Sequence, residues 1–181
     1  MKWMAASDFH GSALYCRQTL EAFEREGAQR LLLLGDLLYH GPRNPLPEGY
    51  DPKETAALLN GYKDRLLCVR GNCDAEVDQM VLDFPILAEY ALLMLGERLV
   101  FLTHGDHYHL KALPPLRPGD LLLHGHTHVP AWEPFGQGNR YLNPGSVSLP
   151  KDGTPRGCLI LTEQELVWKT LDGETYHRES L

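Results

Sequence analysis

Seven side chains in this sequence occupy one recurrent setting. Asp8 and His10, Asp36, Asn72, His104, and finally His126 and His128 each follow a short apolar run, with a Gly or a small residue beside them. Carboxylate, imidazole and carboxamide are hard or borderline donors, and no thiolate is needed to complete the set. One cation bound by protein alone would use four to six donors. Seven, with one carboxylate shared, suit two divalent ions about 3.5–4 Å apart. Mixed oxygen and nitrogen ligation favours Mn, Fe, Zn or Co over Ca or a structural cysteine-held zinc. Histidine clustering points the same way, since six of the nine histidines fall between His104 and His128. Each motif alone has a bland reading. Asp8 can cap a helix, Gly35-Asp36 can be a simple turn, and Asn72 can stabilise the turn after Gly71. Gly125-His126-Thr127-His128 is harder to dismiss, because two histidines in a loop of small residues seldom serve packing.

The elements that must position these groups alternate strand and helix in the first half. Lys2–Ser7 is a short apolar strand. The stripe Ala13, Cys16, Leu20 and Phe23 predicts a helix over Ser12–Glu26, stopped by Gly27. Arg30–Leu34 is a continuous leucine run, as expected of a strand buried on both faces. Three prolines and two glycines in His40–Gly49 exclude helix or central strand. Asp51-Pro52 with Glu54 reads as N-cap, first-turn proline and capping-box acid, opening a helix to about Asn60. Leu66–Arg70 is a third buried strand. This β-α-β-α-β order predicts a parallel sheet with right-handed crossovers. In open α/β sheets ligands gather beyond the carboxyl ends of the strands, so residues spread from Asp8 to His128 are expected to converge.

The second half is richer in strand. Tyr90–Leu95 and Arg98–Thr103 flank a two-residue Gly96-Glu97 hairpin. Leu121–His124 is another buried strand, and weaker ones are expected at Ala131–Phe135 and Arg140–Leu142. Asn143-Pro144-Gly145-Ser146 reads as a turn, and Cys158–Leu161 with Leu166–Thr170 as a final hairpin. No internal repeat or domain boundary is visible, so a single domain over residues 1–181 is expected.

Composition narrows the class. The 181 residues are 43% hydrophobic and 23% charged, ordinary globular values. Seventeen basic against 24 acidic residues leave a formal charge of −7. That balance gives no electrostatic footprint for extended nucleic acid or an anionic membrane. No apolar stretch is long enough to span a bilayer or to act as a secretory core. Cys16, Cys68, Cys73 and Cys158 include no Cys-x-x-Cys pair and are read as reduced thiols of a cytoplasmic protein.

The motifs Asp8-Phe9-His10, Gly35-Asp36, Gly71-Asn72-Cys73-Asp74, His104-Gly105 and Gly125-His126-Thr127-His128, in this order, resemble those of the calcineurin-like metallophosphoesterases. The loop His40–Gly49 and the turn at Asn143–Ser146 extend the likeness to the YfcE-type small bacterial phosphodiesterases of that family. The resemblance implies a four-layer α/β/β/α sandwich of two mixed sheets. It implies one metal held by Asp8, His10, Asp36 and His128 and a second by Asp36, Asn72, His104 and His126, with Asp36 bridging. The implied activity is hydrolysis of a small phosphodiester with two divalent ions, Mn first and Zn, Fe, Ni or Co as alternatives. Two divalent ions and two carboxylates leave a cluster of about +2, an anion trap in which bound water loses its proton near neutral pH and attacks phosphorus in line. Asp36, Asn72, Cys73 and His104 are the expected catalytic positions.

One position departs from the wider family, whose commoner motif carries His where this chain has Cys73. A neutral thiol donates a proton less readily than imidazolium, so diesters are expected to be preferred over alkyl monoesters. The alternatives are a phosphomonoesterase or nucleotide pyrophosphatase on the same cluster. A protein-binding scaffold like the retromer subunit of similar fold is a third reading, opposed by the full ligand set. Of the remaining residues, Asp74 is expected to cap Ala75–Met80, and Asp120 to begin its strand away from the site. His124 is expected in the core or behind the ligands, and His107 and His109 in a loop within reach of substrate. His40 and Arg43 lie on the proline-rich loop, where a solvated Arg is ordinary and a phosphate clamp is possible. Exposed strands of the second half could pair two or four copies.

Overall fold

A computed structural model describes residues 1–181. β1 (Lys2–Ala6), β2 (Arg30–Leu33) and β3 (Leu66–Cys68) are parallel and linked by α1 (Ala13–Glu26) and α2 (Pro52–Asn60). The sequence signals for these helices hold locally. Gly27 closes α1 in the left-handed region at φ 61°, and Asp51 accepts the Glu54 N–H at 2.9 Å. Two details differ: Ser12 is the N-cap of α1, its hydroxyl accepting the Tyr15 N–H, and Glu54 completes no capping box, because the Asp51 N–H donates to the Gly11 carbonyl while Glu54 pairs with Arg17. After β3 the chain forms the single-turn α3 (Glu76–Gln79).

β4 (Tyr90–Leu95) and β5 (Arg98–Thr103) form the expected hairpin and lead to β6 (Leu121–Leu123), β7 (Pro130–Phe135) and β8 (Asn139–Pro144). These five form a mixed sheet in the order β4-β5-β6-β8-β7. β8 runs further than its apolar pattern suggests: Asn143 and Pro144, expected in a turn, still pair with Ala131 and Pro130 of β7. The remaining strands, β9 (Gly157–Thr162), β10 (Glu165–Thr170) and β11 (Thr175–Ser180), return to the first sheet, whose order is β11-β10-β9-β1-β2-β3. β11 carries no apolar alternation to announce it. As an edge strand it needs only one neighbour, β10.

The two mixed sheets pack face to face, giving the expected α/β sandwich. Alternate residues of β1 and β2 divide between two cores. Met4, Leu31 and Leu33 join Phe23 and Leu59 beneath the helices. Trp3 and Leu32 face Leu102, Leu121 and Trp168 between the sheets. A strand buried on both sides must be apolar throughout, which is why Arg30–Leu34 reads as an uninterrupted run. Each such large side chain contributes about 1.5–3 kcal/mol on burial. The layer on the far side of the second sheet is thin. Tyr108, in the turns after β5, lies there edge-on to Phe101, while Leu92 and Met94 stay exposed. No helix is long and apolar enough to cross a membrane.

Candidate metal centre

Seven side chains from five strand ends meet in one place. Asp8 and His10 follow β1, Asp36 follows β2, Asn72 follows β3, His104 follows β5, and His126 and His128 follow β6. Asp8, His10, Asp36, His126 and His128 all hold left-handed backbone, with φ between 48° and 67°, and only one other non-glycine residue in the chain does so. Such conformations cost about 1–3 kcal/mol each and persist where surroundings enforce them, most often at functional sites. Here each loop turns sharply off its strand so that the side chain points inward.

The surroundings that enforce them can be named. Ser146 and Ser148 both donate hydroxyl protons to the Asp8 carbonyl, at 2.9 and 2.8 Å. The Asn143 amide donates to the Gly125 carbonyl at 2.8 Å and the Thr127 hydroxyl at 3.0 Å, fixing the histidine loop. A Cβ on Gly71 would stand 2.2 Å from Asp36 Oδ1, and one on Gly125 would stand 1.9 Å from Ser7 Oγ, so neither loop tolerates a side chain.

Each carboxylate spends one oxygen on the main chain and turns the other inward. Asp8 Oδ2 accepts the His126 N–H at 3.0 Å, and Asp36 Oδ1 accepts the Cys73 N–H at 2.8 Å. Asp8 Oδ1 is buried with no hydrogen-bond partner. It lies 3.4 Å from His128 Nε2 and 3.8 Å from His10 Nε2, and those two nitrogens face each other at 3.2 Å. The other carboxylate oxygen, Asp36 Oδ2, stands between the two halves of the cluster, 3.6 Å from His10 Nε2 and 3.5 Å from His104 Nε2. On the far side His104 Nε2 is 3.0 Å from Asn72 Oδ1 and 3.1 Å from His126 Nδ1.

The histidine tautomers follow from the outer contacts. Nδ1 of His10, His104 and His128 donates to the carbonyls of Tyr39, Leu34 and Leu149, at 2.9, 2.7 and 2.6 Å. In the neutral ring a donating Nδ1 leaves Nε2 with a lone pair aimed at the cluster, the arrangement typical of metal-binding histidine, and on His104 a metal ion would displace the proton that Nε2 otherwise keeps. Lone pairs and an orphaned carboxylate oxygen crowded together repel unless a cation lies among them. The donor set therefore fits divalent metal, and Asp8, His10 and His128 by themselves form a compact ligand trio.

Electrostatics agree. Burial opposes the charge on Asp36, but His104 and His10 beside it and the Cys73 N–H hold its carboxyl well below the usual range. Burial likewise opposes charge on His104, yet Asp36 and Asp8 raise it to about 10 in the metal-free cluster. Burial lowers His126 and His128, keeping them neutral as ligands must be. Cys73, half-buried beside the cluster, is pushed up to about 12 by burial and then by Asp36, so its thiol stays protonated.

The other candidates separate. Asp74 does not cap the next helix: Ala75 occupies the N-cap position, and Asp78 accepts its N–H at 2.8 Å. Asp74 instead accepts the N–H groups of Asp36, Leu37 and Gly71. Asp120 begins β6 as expected, accepting the Leu99 and Arg117 N–H groups. His124 is buried, stacks on Tyr141 and is lowered to about 4 by burial. His107 is exposed and lines a cavity with Asn72, whereas His109 accepts the Lys111 N–H and does not line it. His40 packs edge-on against Tyr39 and Tyr50. The cluster opens into a polar cavity of about 370 Å³ walled by Arg43 and Lys151. Two larger cavities, of about 650 and 630 Å³, are apolar and lie away from it. Sequence reasoning missed Lys151, which no motif marks. It also missed the roles of Asn143, Ser146 and Ser148, whose signal was the polar turn ending β8.

Comparison with known proteins agrees with this geometry. Phosphodiesterase YfcE of Escherichia coli strain K12 is 50% identical over 166 residues, covering 92% of this chain and 90% of the relative. The solved structure of Yfce, a phosphoesterase from E. coli, superposes with a TM-score of 0.95 at 45% identity over 99% of both chains. Wild-type Vps29 from Entamoeba histolytica, solved with Zn, shares the fold alone, with a TM-score of 0.60 at 23% identity over 99% of both chains. Residues 1–166 match the calcineurin-like phosphoesterase superfamily domain, and the chain belongs to that metal-dependent family.

Proposed function

We propose that this protein is a metal-dependent phosphodiesterase acting on a small phosphodiester. The observation that carries the reading is the position of Asp36 Oδ2, between His10 Nε2 at 3.6 Å and His104 Nε2 at 3.5 Å, with a separate donor set on either side. Asp8, His10, Asp36 and His128 would hold one ion, and Asp36, Asn72, His104 and His126 the other. Oxygen and nitrogen donors without thiolate suit Mn, Zn, Fe, Ni or Co, and Mn is the expected metal on the likeness to the small bacterial phosphodiesterases. Two divalent ions, when bound, supply a nucleophile at neutral pH and neutralise charge on the phosphoryl oxygens.

The chain's own residues do the rest. The Tyr39, Leu34 and Leu149 carbonyls fix the Nδ1 protons of three histidines, so the ligand nitrogens need no reorganisation. Asn72 lines the cavity, and its Oδ1 stands 3.0 Å from Nε2 of the buried His104, so the two donors converge on one side of the cluster. The Cys73 thiol, neutral and beside Asp36, is a poor proton donor for an alkoxide leaving group, which supports a preference for diesters over alkyl monoesters. The homologous E. coli protein carries the name phosphodiesterase, which supports the same reading.

The test is metal content and turnover together. The purified chain, stripped with chelator and titrated with Mn, should bind two ions and hydrolyse bis(nitrophenyl) phosphate faster than nitrophenyl phosphate. Asp36→Ala should lose both ions and His10→Ala one. Absence of metal binding together with absence of hydrolysis would overturn the reading, and a faster monoester would replace it with a phosphomonoesterase.

A further inference from the structure

We infer that the cleft is built for an asymmetric diester, one arm of which carries a second phosphate held between Arg43 and Lys151. This rests on the phosphodiesterase reading above and adds the substrate class to it.

The argument begins with charge. A diester carries one negative charge at the scissile phosphate. Two divalent ions with the Asp8 and Asp36 carboxylates already leave the cluster at about +2. The cavity above it is walled by two further cations, Arg43 and Lys151. Neither makes an ion pair or a side-chain hydrogen bond, although the chain as a whole carries a formal charge of −7. The only carboxylate lining that cavity is Asp36, which the cluster uses. Positive charge on this side therefore exceeds what a simple diester neutralises.

The two cations come from separate loops that are each tied to the cluster. The loop bearing Arg43 is closed by the Asn44 amide donating to the His40 carbonyl at 2.9 Å. It lies against the cluster through Gly41, where a Cβ would stand 3.2 Å from Cys73 Sγ. The Lys151 N–H donates to the His128 carbonyl at 3.2 Å, so its backbone moves with a ligand residue. A guanidinium fork and an ammonium approaching one cavity from two loops suit a phosphate better than a neutral group.

The opposite side of the cleft has the reverse character. Asn72 also lines a second cavity of about 320 Å³, with Arg70, Glu89, Asp106 and His107 and no apolar side chain. Arg70 is engaged by the Asp74 carbonyl and by Glu76, which leaves Glu89 and Asp106 as acceptors. That side suits an arm that can donate hydrogen bonds. The cleft is thus polarised across Asn72.

The experiment uses a matched pair of nucleoside nitrophenyl phosphodiesters that share a leaving group. One has its free sugar hydroxyl bare and the other has it phosphorylated. The Mn-loaded protein should show a KM at least about tenfold lower for the phosphorylated member. Arg43→Gln, Lys151→Gln and the double variant should erase the difference between the two, with Arg43→Lys restoring part of it. A calorimetric titration gives a readout independent of turnover. The nucleoside bisphosphate should bind the parent protein more tightly than the monophosphate, and the double variant should lose that preference. Equal KM values in the parent protein, or a preference surviving in the double variant, would overturn the inference while leaving the phosphodiesterase reading intact. Failure to hydrolyse either member or bis(nitrophenyl) phosphate would instead overturn that reading.

Discussion

The Asp74 carboxylate lies directly behind the Asp36 main chain, with Oδ2 accepting the Asp36 N–H at 2.9 Å and the Gly71 N–H at 2.7 Å, and Oδ1 accepting Leu37 at 2.8 Å. One buried side chain thereby joins the loop after β2 to the loop after β3, and with them Asp36 to Asn72. Asp74→Asn keeps the volume but turns an NH2 toward at least one of three N–H donors. The expected loss is about 1–3 kcal/mol of stability in the metal-free protein, from donors left unsatisfied in the interior. Metal affinity should fall by about 10–100-fold, as it does when groups supporting metal ligands are removed. Urea unfolding and a metal titration read the two effects separately. A destabilised variant with unchanged affinity would show that Asp74 holds the fold and not the ligands.

Glu26 at the end of α1 fastens that helix to both halves of the first sheet. Its carboxylate lies 2.7 Å from Lys169 Nζ on β10 and 3.2 Å from Lys2 Nζ on β1. Burial raises its pKa, but the two lysines outweigh burial and hold it below the ordinary value. A folded pKa below the unfolded one stabilises the fold above the unfolded pKa, and this is lost as pH falls through the folded value. Glu26→Gln should therefore cost about 1 kcal/mol near neutral pH. The gap from the parent protein should narrow as pH drops below about 4. Urea unfolding of both proteins in chelator, at several pH values, checks the sign. A gap that widens on acidification would refute the assignment.

The site was more legible than the framework around it. Asp8, Asp36 and His126 are visible in sequence because each sits where an apolar run breaks, and a parallel sheet gathers its strand ends. The helices were legible through local chemistry at Gly27 and Asp51, while the cap role of Ser12 and the pairing of Glu54 with Arg17 in place of a capping box were not. What was hidden depended on distant neighbours. β11 has no pattern of its own because β10 alone supports it. Asn143 looked like a turn residue, yet its amide bonds Gly125 and Thr127 across the sheet, and no local rule reveals such a partner. Asp74 followed the same course. Its neighbours in sequence suggested a helix cap, while two of its three partners lie 37 and 38 positions away.

Cys73 offers a test of proton donation. Its thiol is half-buried, beside Asp36, and pushed up to about 12. A group this reluctant to ionise also gives its proton poorly to a departing alkoxide. An imidazole there would titrate far closer to neutral pH, and general acid catalysis is worth roughly 10²–10⁴-fold when the donor is well matched. Cys73→His should raise turnover of an alkyl phosphate monoester by at least about tenfold, with less gain on nitrophenyl esters, whose leaving group needs no proton. Steady-state kinetics on the two ester types in Mn decides it. An equal gain on both, or none on either, would remove Cys73 from the account of substrate preference.

The left-handed backbone at His126 makes a prediction about the conflict between stability and function. Its φ of 67° suits glycine and costs an L-residue about 1–2 kcal/mol. The ring is only partly buried, so little packing is lost when it is removed. His126→Ala keeps the strained backbone and loses the ring, whereas His126→Gly loses both. The glycine variant should be more stable than the alanine variant by about 1 kcal/mol in chelator, even after the larger entropy of its unfolded chain. Both should bind one metal ion fewer than the parent protein, because Nδ1 of His126, which meets His104 Nε2 at 3.1 Å, is gone in each. Thermal melts in chelator compare the variants on equal terms, and metal analysis reads the lost ion. An alanine variant as stable as the glycine variant would mean that the loop carries no strain at His126. Its twist would then reflect the surrounding hydrogen bonds from Asp8 and Asn143 alone.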